Sequence, residues 1–167
     1  MKKVCITFTG AVGSSKTPIS NYLSTKLNLP IFNNDALRSE VIEDLGSFNE
    51  QEHRKRRNER LQDILSSGIS FICDASIDRE WPVFKEHLTQ AGYDYFIISI
   101  DLEKDFLVTL YEAKGYTDSL QNIDTFIADH DAFLDTYADD VSLHIAQEDF
   151  LQRLETSYTH TKQWLNT

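Results

Sequence analysis

The stretch Gly10-Ala11-Val12-Gly13-Ser14-Ser15-Lys16-Thr17 decides how this chain is read. It follows the apolar run Val4 to Thr9 and opens a segment of helical spacing, the setting of a phosphate-binding loop between a strand and a helix. In such a loop, successive backbone N–H groups and the positive end of the helix surround phosphate oxygens. A lysine reaches the terminal phosphates, and a hydroxyl ligates Mg²⁺. Lys16 and Thr17 fit those two roles, and Gly10, Val12, Gly13, Ser14 and Ser15 would complete the cradle. Ser15 departs from the pattern G-x-x-x-x-G-K-[S/T], which has glycine before the lysine. Glycine permits positive φ and close backbone approach, whereas a serine hydroxyl must turn away from the phosphate or bond to it. The competing reading is a glycine- and serine-rich turn that caps an ordinary helix.

Working outward, Lys3 to Thr9 reads as a buried strand, and Ile19, Tyr22, Leu23 and Leu27 give helical spacing from Lys16 to Leu27. Pro18 falls in the first turn, where the N–H it lacks would have no intrahelical acceptor. Further strands are expected at Leu29 to Phe32, Ile69 to Cys73, Tyr95 to Ile100 and Val141 to Ile145. Helices are expected from Ala36, over Asn49 to Ser67, Arg79 to Ala91, Lys104 to Lys114 and Ile123 to Tyr137, and from Gln147 to Leu165. Gly115 to Asn122 reads as a mobile loop. Near-continuous apolar strands alternating with helices indicate a three-layer α/β fold with a five-stranded parallel sheet. No linker, repeat or low-complexity stretch divides residues 1–167, so one domain is expected.

Composition narrows the class. The chain has 167 residues, 41% hydrophobic and 26% charged, enough for one substantial core. No apolar run approaches the roughly 18 residues that span a bilayer, and no secretory cleavage signature follows Met1-Lys2-Lys3, which points to a cytoplasmic protein without membrane contact. Cys5 and Cys73 lie in apolar runs and read as buried hydrophobes, while the five histidines lack metal-ligand spacing. The net charge of -11 argues against general nucleic-acid affinity. Its distribution is uneven, with ten Lys/Arg against seven Asp/Glu in residues 1–60 and six against twenty afterwards, so a polyanion would approach the amino-terminal half.

In an open parallel sheet, ligands bind beyond the carboxyl ends of the strands. Asp74 follows Phe71-Ile72-Cys73 and is placed to hold Mg²⁺ through water beside the loop, or else to cap a turn. Asp78 reads as the cap of the next helix. Asp35 and Arg38, three residues apart, would share one face of a first helical turn. That pair would orient a substrate hydroxyl and hold an anionic group, or would be an N-cap carboxylate with a local ion pair.

These residues, together with the length and order of elements, resemble the small P-loop kinases, the group of shikimate, gluconate and adenylate kinase-like enzymes with zeta-toxin and polynucleotide-kinase relatives. The segments that carry the likeness are Gly10 to Thr17, Asn34-Asp35-Ala36-Leu37-Arg38 and Phe71-Ile72-Cys73-Asp74-Ala75. The resemblance implies sheet order 2-3-1-4-5, ATP and Mg²⁺ on the loop, Asp35 as base or acceptor-positioning residue and Arg38 as a substrate contact. It also implies lid arginines after the fourth strand. Here the only cationic Lys or Arg residues between Arg79 and Arg153 are Lys85, Lys104 and Lys114, so Lys114 is the lid's candidate catalytic charge.

The run His53-Arg54-Lys55-Arg56-Arg57-Asn58-Glu59-Arg60 lies where such kinases place acceptor-binding helices. Arg54 and Arg57 are therefore candidate acceptor contacts, against the reading of a solvated charged face. Phe126, Phe133 and Tyr137 read as core, Trp81-Pro82 as a helix start, and Asp129, His130 and Asp131 as an exposed polar turn, against an approach to the nucleotide from the lid side. The sequence thus indicates a kinase acting on a small hydroxyl-bearing or nucleotide-like acceptor. Its rivals are a nucleotide-binding module without useful transfer and an NTPase that meets RNA along Arg54 to Arg60.

Overall fold

The computed structural model describes residues 2–167. These residues form five strands, β1 (Lys3–Thr9), β2 (Ile31–Asn33), β3 (Phe71–Ser76), β4 (Tyr93–Asp101) and β5 (Leu143–Ala146). The helices are α1 (Lys16–Leu27), α2 (Asn34–Leu45), α3 (Glu50–Ser67), α4 (Trp81–Gln90), α5 (Lys104–Lys114), α6 (Thr117–Leu120), α7 (Ile123–Tyr137) and α8 (Arg153–Leu165). All strand pairs are parallel and the order is β2-β3-β1-β4-β5, as expected.

Alternation along the strands sorts the core onto two faces. Cys5, Phe71, Cys73, Tyr93 and Ile97 meet Leu61 and Leu65 of α3, Trp81, Phe84 and Leu88 of α4 and Phe133 of α7. Ile6, Phe8, Ile72, Phe96, Ile98 and Ile100 point the other way, onto Ile19 and Leu23 of α1 and the α8 side chains Leu154, Tyr158 and Trp164. A parallel sheet covered on both faces explains why its strands are apolar at successive residues rather than every second one. Both cysteines are buried and free.

The chain crosses from one side of the sheet to the other around β1, because β3 and β4 flank it. The crevice at that reversal opens at the carboxyl end of β1, where residues 10–17 lie. A third cluster roofs the loop, with Ala11 packed among Leu107 and Tyr111 of α5 and Ile123 of α7. The stretch expected as a mobile loop contains the short helix α6, and its Leu120 joins this cluster. That apolar anchor explains its order. The last helix begins at Arg153, after a 3₁₀ segment over Gln147–Gln152, six residues later than expected. Among the described residues, no helix is long and apolar enough to cross a membrane.

Candidate active site

The loop is built by three left-handed backbone positions. Gly10 has φ +141° and Gly13 φ +72°, and a Cβ at either would crowd a neighbour, at 3.0 Å from the Ile100 carbonyl oxygen and 2.8 Å from the Tyr111 ring. Ser15, at φ 93°, adopts the conformation its glycine counterpart would take freely. Its hydroxyl accepts from Arg153 Nε at 2.6 Å, so it is tied to the start of α8. On the other flank, Tyr111 donates to the Val12 carbonyl and Lys114 Nζ donates to the Gly13 carbonyl at 2.5 Å.

Lys16 Nζ folds over the loop, donating to the carbonyls of Gly10 at 3.0 Å and Ala11 at 2.5 Å. Burial pulls its pKa down to about 8 against the opposing charges of Asp78, Asp74 and Asp35. Thr17 Oγ1 donates to Asp74 Oδ2 at 2.9 Å. Asp74 is 8% exposed, and its burial raises its pKa despite the hydroxyl bond and the nearby Lys16 ammonium. Two hard oxygen donors beside a loop that takes phosphate oxygens suit Mg²⁺, which needs few protein ligands. A buried carboxylate held against its own desolvation is also the kind of group a cation relieves.

Asp35 is exposed, yet close enough to influence both Lys16 and Asp74. It is not the N-cap of α2. That position belongs to Asn33, whose side-chain oxygen accepts from the N–H groups of Asp35 and Ala36 at 2.9 and 3.2 Å. Among the described residues Asp35 makes no ion pair with Arg38, whose guanidinium instead lies 3.9 Å from the centre of the Phe48 ring.

The arginines of the basic run are paired within the protein. Arg54 pairs with Glu50, Arg56 with Glu40, Asp44 and Glu52, Arg57 with Glu80, and Arg60 with Glu40. Arg54 and Arg57 nonetheless line a groove of about 380 Å³ with Arg79, His87 and the apolar Leu61, Val83 and Phe84. Arg79 and Glu80 continue into a second cavity of about 260 Å³ over Gly10, Ala11 and Val12, crossed by the Arg79–Asp129 pair at 2.6 Å. The two cavities share Arg79 and Glu80 in their walls.

Two expectations are corrected behind the loop. Asp78 does not cap α4, whose N-cap is Glu80. It accepts from Thr9 Oγ1 and, at 3.3 Å, from the Gly10 N–H. His130 is 8% exposed rather than part of a polar turn, because α7 turns it inward onto these groups. Its Nδ1 lies 3.0 Å from Thr9 Oγ1 and 3.8 Å from Asp78, and its Nε2 lies 2.9 Å from Asp101. Ser99 and His144 also bond Asp101. Burial alone would lower the His130 pKa, but the bonds to Asp101 and Asp78 outweigh it and raise the value to about 9. Burial likewise pushes Asp101 up, yet its partners His130, Ser99 and His144 bring it down to about 2.

The cluster therefore has a pH window. A raised histidine stabilises the fold fully below its unfolded pKa of about 6.5, and that contribution is lost as pH rises toward about 9. Asp101 contributes above its unfolded value of about 3.9 and loses the contribution as pH falls toward about 2. Thermal melts are expected to show the midpoint falling between about pH 6.5 and 9, and the fall is expected to flatten in His130→Asn. Parallel melts of the two proteins across that range check this, and identical slopes would contradict it.

The residues that sequence reasoning passed over are Arg153 and Tyr111. One signal existed: a serine in the loop needs a partner for its hydroxyl, and Arg153 is the only arginine after Arg79.

The five-stranded parallel sheet of order 2-3-1-4-5, with the loop after β1, is the fold seen in small P-loop kinases. Among solved structures, the chain is similar to shikimate kinase from Bacteroides thetaiotaomicron, with TM-score 0.62, 16% identity, and 98% of this chain and 99% of that one covered. It is also similar to an APS kinase from Mycobacterium tuberculosis in complex with AMPPNP and APS, with TM-score 0.63, 15% identity and coverage of 96% and 98%. A gluconokinase from Sinorhizobium meliloti gives TM-score 0.59 at 11% identity, covering 98% and 93%. At these identities the likeness is one of fold. No protein-family model matches the chain, and no curated protein matches it in sequence.

Proposed function

We propose that the protein binds Mg-ATP on residues 10–17 and transfers the γ-phosphate to a small hydroxyl-bearing or nucleotide-like acceptor in the cytoplasm. The observation that carries this reading is the grouping of Lys16, the Thr17–Asp74 pair and Asp35 around the loop of residues 10–17. The loop N–H groups and the α1 N-terminus hold phosphate oxygens, and Lys16 exchanges its carbonyl partners for the terminal phosphates. Thr17 and Asp74 would hold the metal, whose chemistry when bound is to offset charge on the phosphates.

The acceptor is placed beside Asp35 and Arg38, with Arg54 and Arg57, from their own groove, as further contacts for its anionic or polar groups. Arg57 supports this, because among the described residues its buried Nε has no hydrogen-bond partner while its other nitrogens hold Glu80. Asp35 receives the proton of the attacking hydroxyl as the acceptor oxygen bonds to the γ-phosphorus and the bond to the bridging oxygen of ADP breaks. Lys114 is the cation available on the lid side. Catalysis is mainly positioning and charge neutralisation.

Asp35→Asn keeps the shape of the site and removes the base. It is expected to lower kcat by about 10²- to 10⁴-fold while leaving Mg-ATP affinity within about twofold. Steady-state rates with calorimetric titration of Mg-ATP check this, and a large fall in nucleotide affinity would count against the assigned role.

A second reading, a nucleotide-binding module that works through conformation without useful transfer, is favoured by the lid's cations. Lys114 is bonded to the Gly13 carbonyl, and Lys104 is paired with Asp124 at 2.6 Å. An absent arginine finger can cost roughly 10³ to 10⁵ in rate in NTPases.

A further inference from the structure

Ser15 presents a physical problem that its own segment does not solve. It has φ 93° and ψ 24° at the N-cap of α1, a left-handed conformation that penalises any residue with a Cβ. It is 7% exposed, so its hydroxyl needs a partner. Within the loop the nearest use for that hydroxyl would be a bond to the groups that bind phosphate. Its partner is instead Arg153 Nε at 2.6 Å, from 138 residues along the chain.

Arg153 is itself fixed. Its Nη1 donates to the Phe150 carbonyl at 2.9 Å, and its guanidinium lies 4.1 Å from the centre of the Phe150 ring. A charged donor held on two sides gives a directional bond, stronger than one between neutral groups. We propose that Arg153 is a positioning residue of the phosphate loop: it draws the Ser15 hydroxyl toward α8 and away from the phosphate seat, which lets serine occupy a left-handed position suited to glycine. Arg153 thereby completes a brace begun by Tyr111 and Lys114 on the Val12 and Gly13 carbonyls. Without the arginine, a buried hydroxyl loses its partner and the strained residue loses its restraint. With glycine at position 15, neither burden exists and the arginine has no hydroxyl in the loop to hold.

The test uses the wild type, Arg153→Met, Arg153→Lys, Ser15→Gly and the double variant Ser15→Gly with Arg153→Met. The first readout is amide hydrogen exchange of residues 12–17 without nucleotide, compared with β4 as an internal standard. The second is the Kd for Mg-ATP, and only this readout rests on the nucleotide reading proposed above. In the wild-type background, Arg153→Met is expected to speed loop exchange and weaken Mg-ATP binding, each by about tenfold, with β4 unchanged. In the Ser15→Gly background it is expected to change each by less than about twofold. Arg153→Lys, which cannot reproduce the Nε–H geometry, is expected to behave like Arg153→Met. Equal effects in both backgrounds, no effect in the wild type, or wild-type behaviour of Arg153→Lys would overturn the proposal. Should Arg153→Met fail to fold, the double variant is expected to fold, and its failure would overturn the proposal equally. A wild type that binds no Mg-ATP sinks the nucleotide reading, while loop exchange still decides the role of Arg153.

Discussion

Lys16→Ala is expected to abolish the thermal stabilisation that Mg-ATP gives the wild type. At a nucleotide concentration of about 100 times Kd, a ligand specific for the folded state adds about 2.7 kcal/mol, which for a protein of this size raises Tm by about 5 to 10 °C. The Lys16 ammonium is partly buried, with carbonyls as its nearest partners and three carboxylates around it. A phosphate anion at the loop would offer stronger charge-assisted partners than those carbonyls. Alanine removes the cation and leaves the phosphate charge facing Asp35, Asp74 and Asp78, so affinity is expected to fall by more than about 100-fold. Asp35→Ala, which removes a carboxylate outside the loop, is expected to keep the shift. Melts of the three proteins with and without Mg-ATP check this, and a shift retained in Lys16→Ala would place the nucleotide elsewhere.

The largest effect on the fold itself is expected from His130→Leu. The imidazolium stands between Asp78 and Asp101, with side-chain exposures of 6% and 28%, and Thr9 completes the contact. Leucine leaves one nearly buried carboxylate and one half-buried carboxylate without their shared cation. Removing one partner from a buried pair costs about 3 to 5 kcal/mol. The lower end is expected here, because Asp101 is partly exposed and keeps Ser99 and His144. That corresponds to a fall in Tm of about 6 to 12 °C. The damage reaches the site, since Asp78 also accepts from the Gly10 N–H and so sets how β1 enters the loop. Combining His130→Leu with Asp101→Asn is expected to cost less than the sum of the single changes. A fall of less than about 2 °C in His130→Leu would show that the cluster contributes little.

The parts of the fold that were legible in the sequence are those encoded locally. The strand, loop and helix from Lys3 to Leu27 carry their own apolar run, glycines and first-turn proline, and the structure keeps the expected bounds of β1 and α1. Strand ends elsewhere moved by one to three residues. Asp74 lies inside β3, paired with Asn33, rather than just beyond the strand, because pairing with β2 extends it. Of the ion pairs in the basic run, those of Arg54 and Arg56 with Glu50 and Glu52 follow helical spacing and were available from sequence. The partners Glu40 and Glu80 come from other elements.

What could not be read depends on the sheet order. Asp-His-Asp at 129–131 looks like a solvated turn until β1 and β4 become neighbours and bring Thr9 and Asp101 to His130. Asp78 resembles a helix cap because aspartate does so by default, and only the approach of β3 to β1 gives it the Gly10 N–H instead. The Ser15 anomaly was visible, but its resolution by Arg153 was not, since the last helix meets the first only in the folded chain.

The most direct test of the central claim is ³¹P NMR of the protein incubated with Mg-ATP and a panel of hydroxyl-bearing carboxylates, sugars and nucleosides. The account predicts that ADP and a new phosphomonoester appear in equal amounts with at least one acceptor, and that both are lost in Lys16→Ala and Asp35→Asn. Nucleotide binding without any phosphomonoester across the panel, or a product whose formation ignores Asp35, would contradict it.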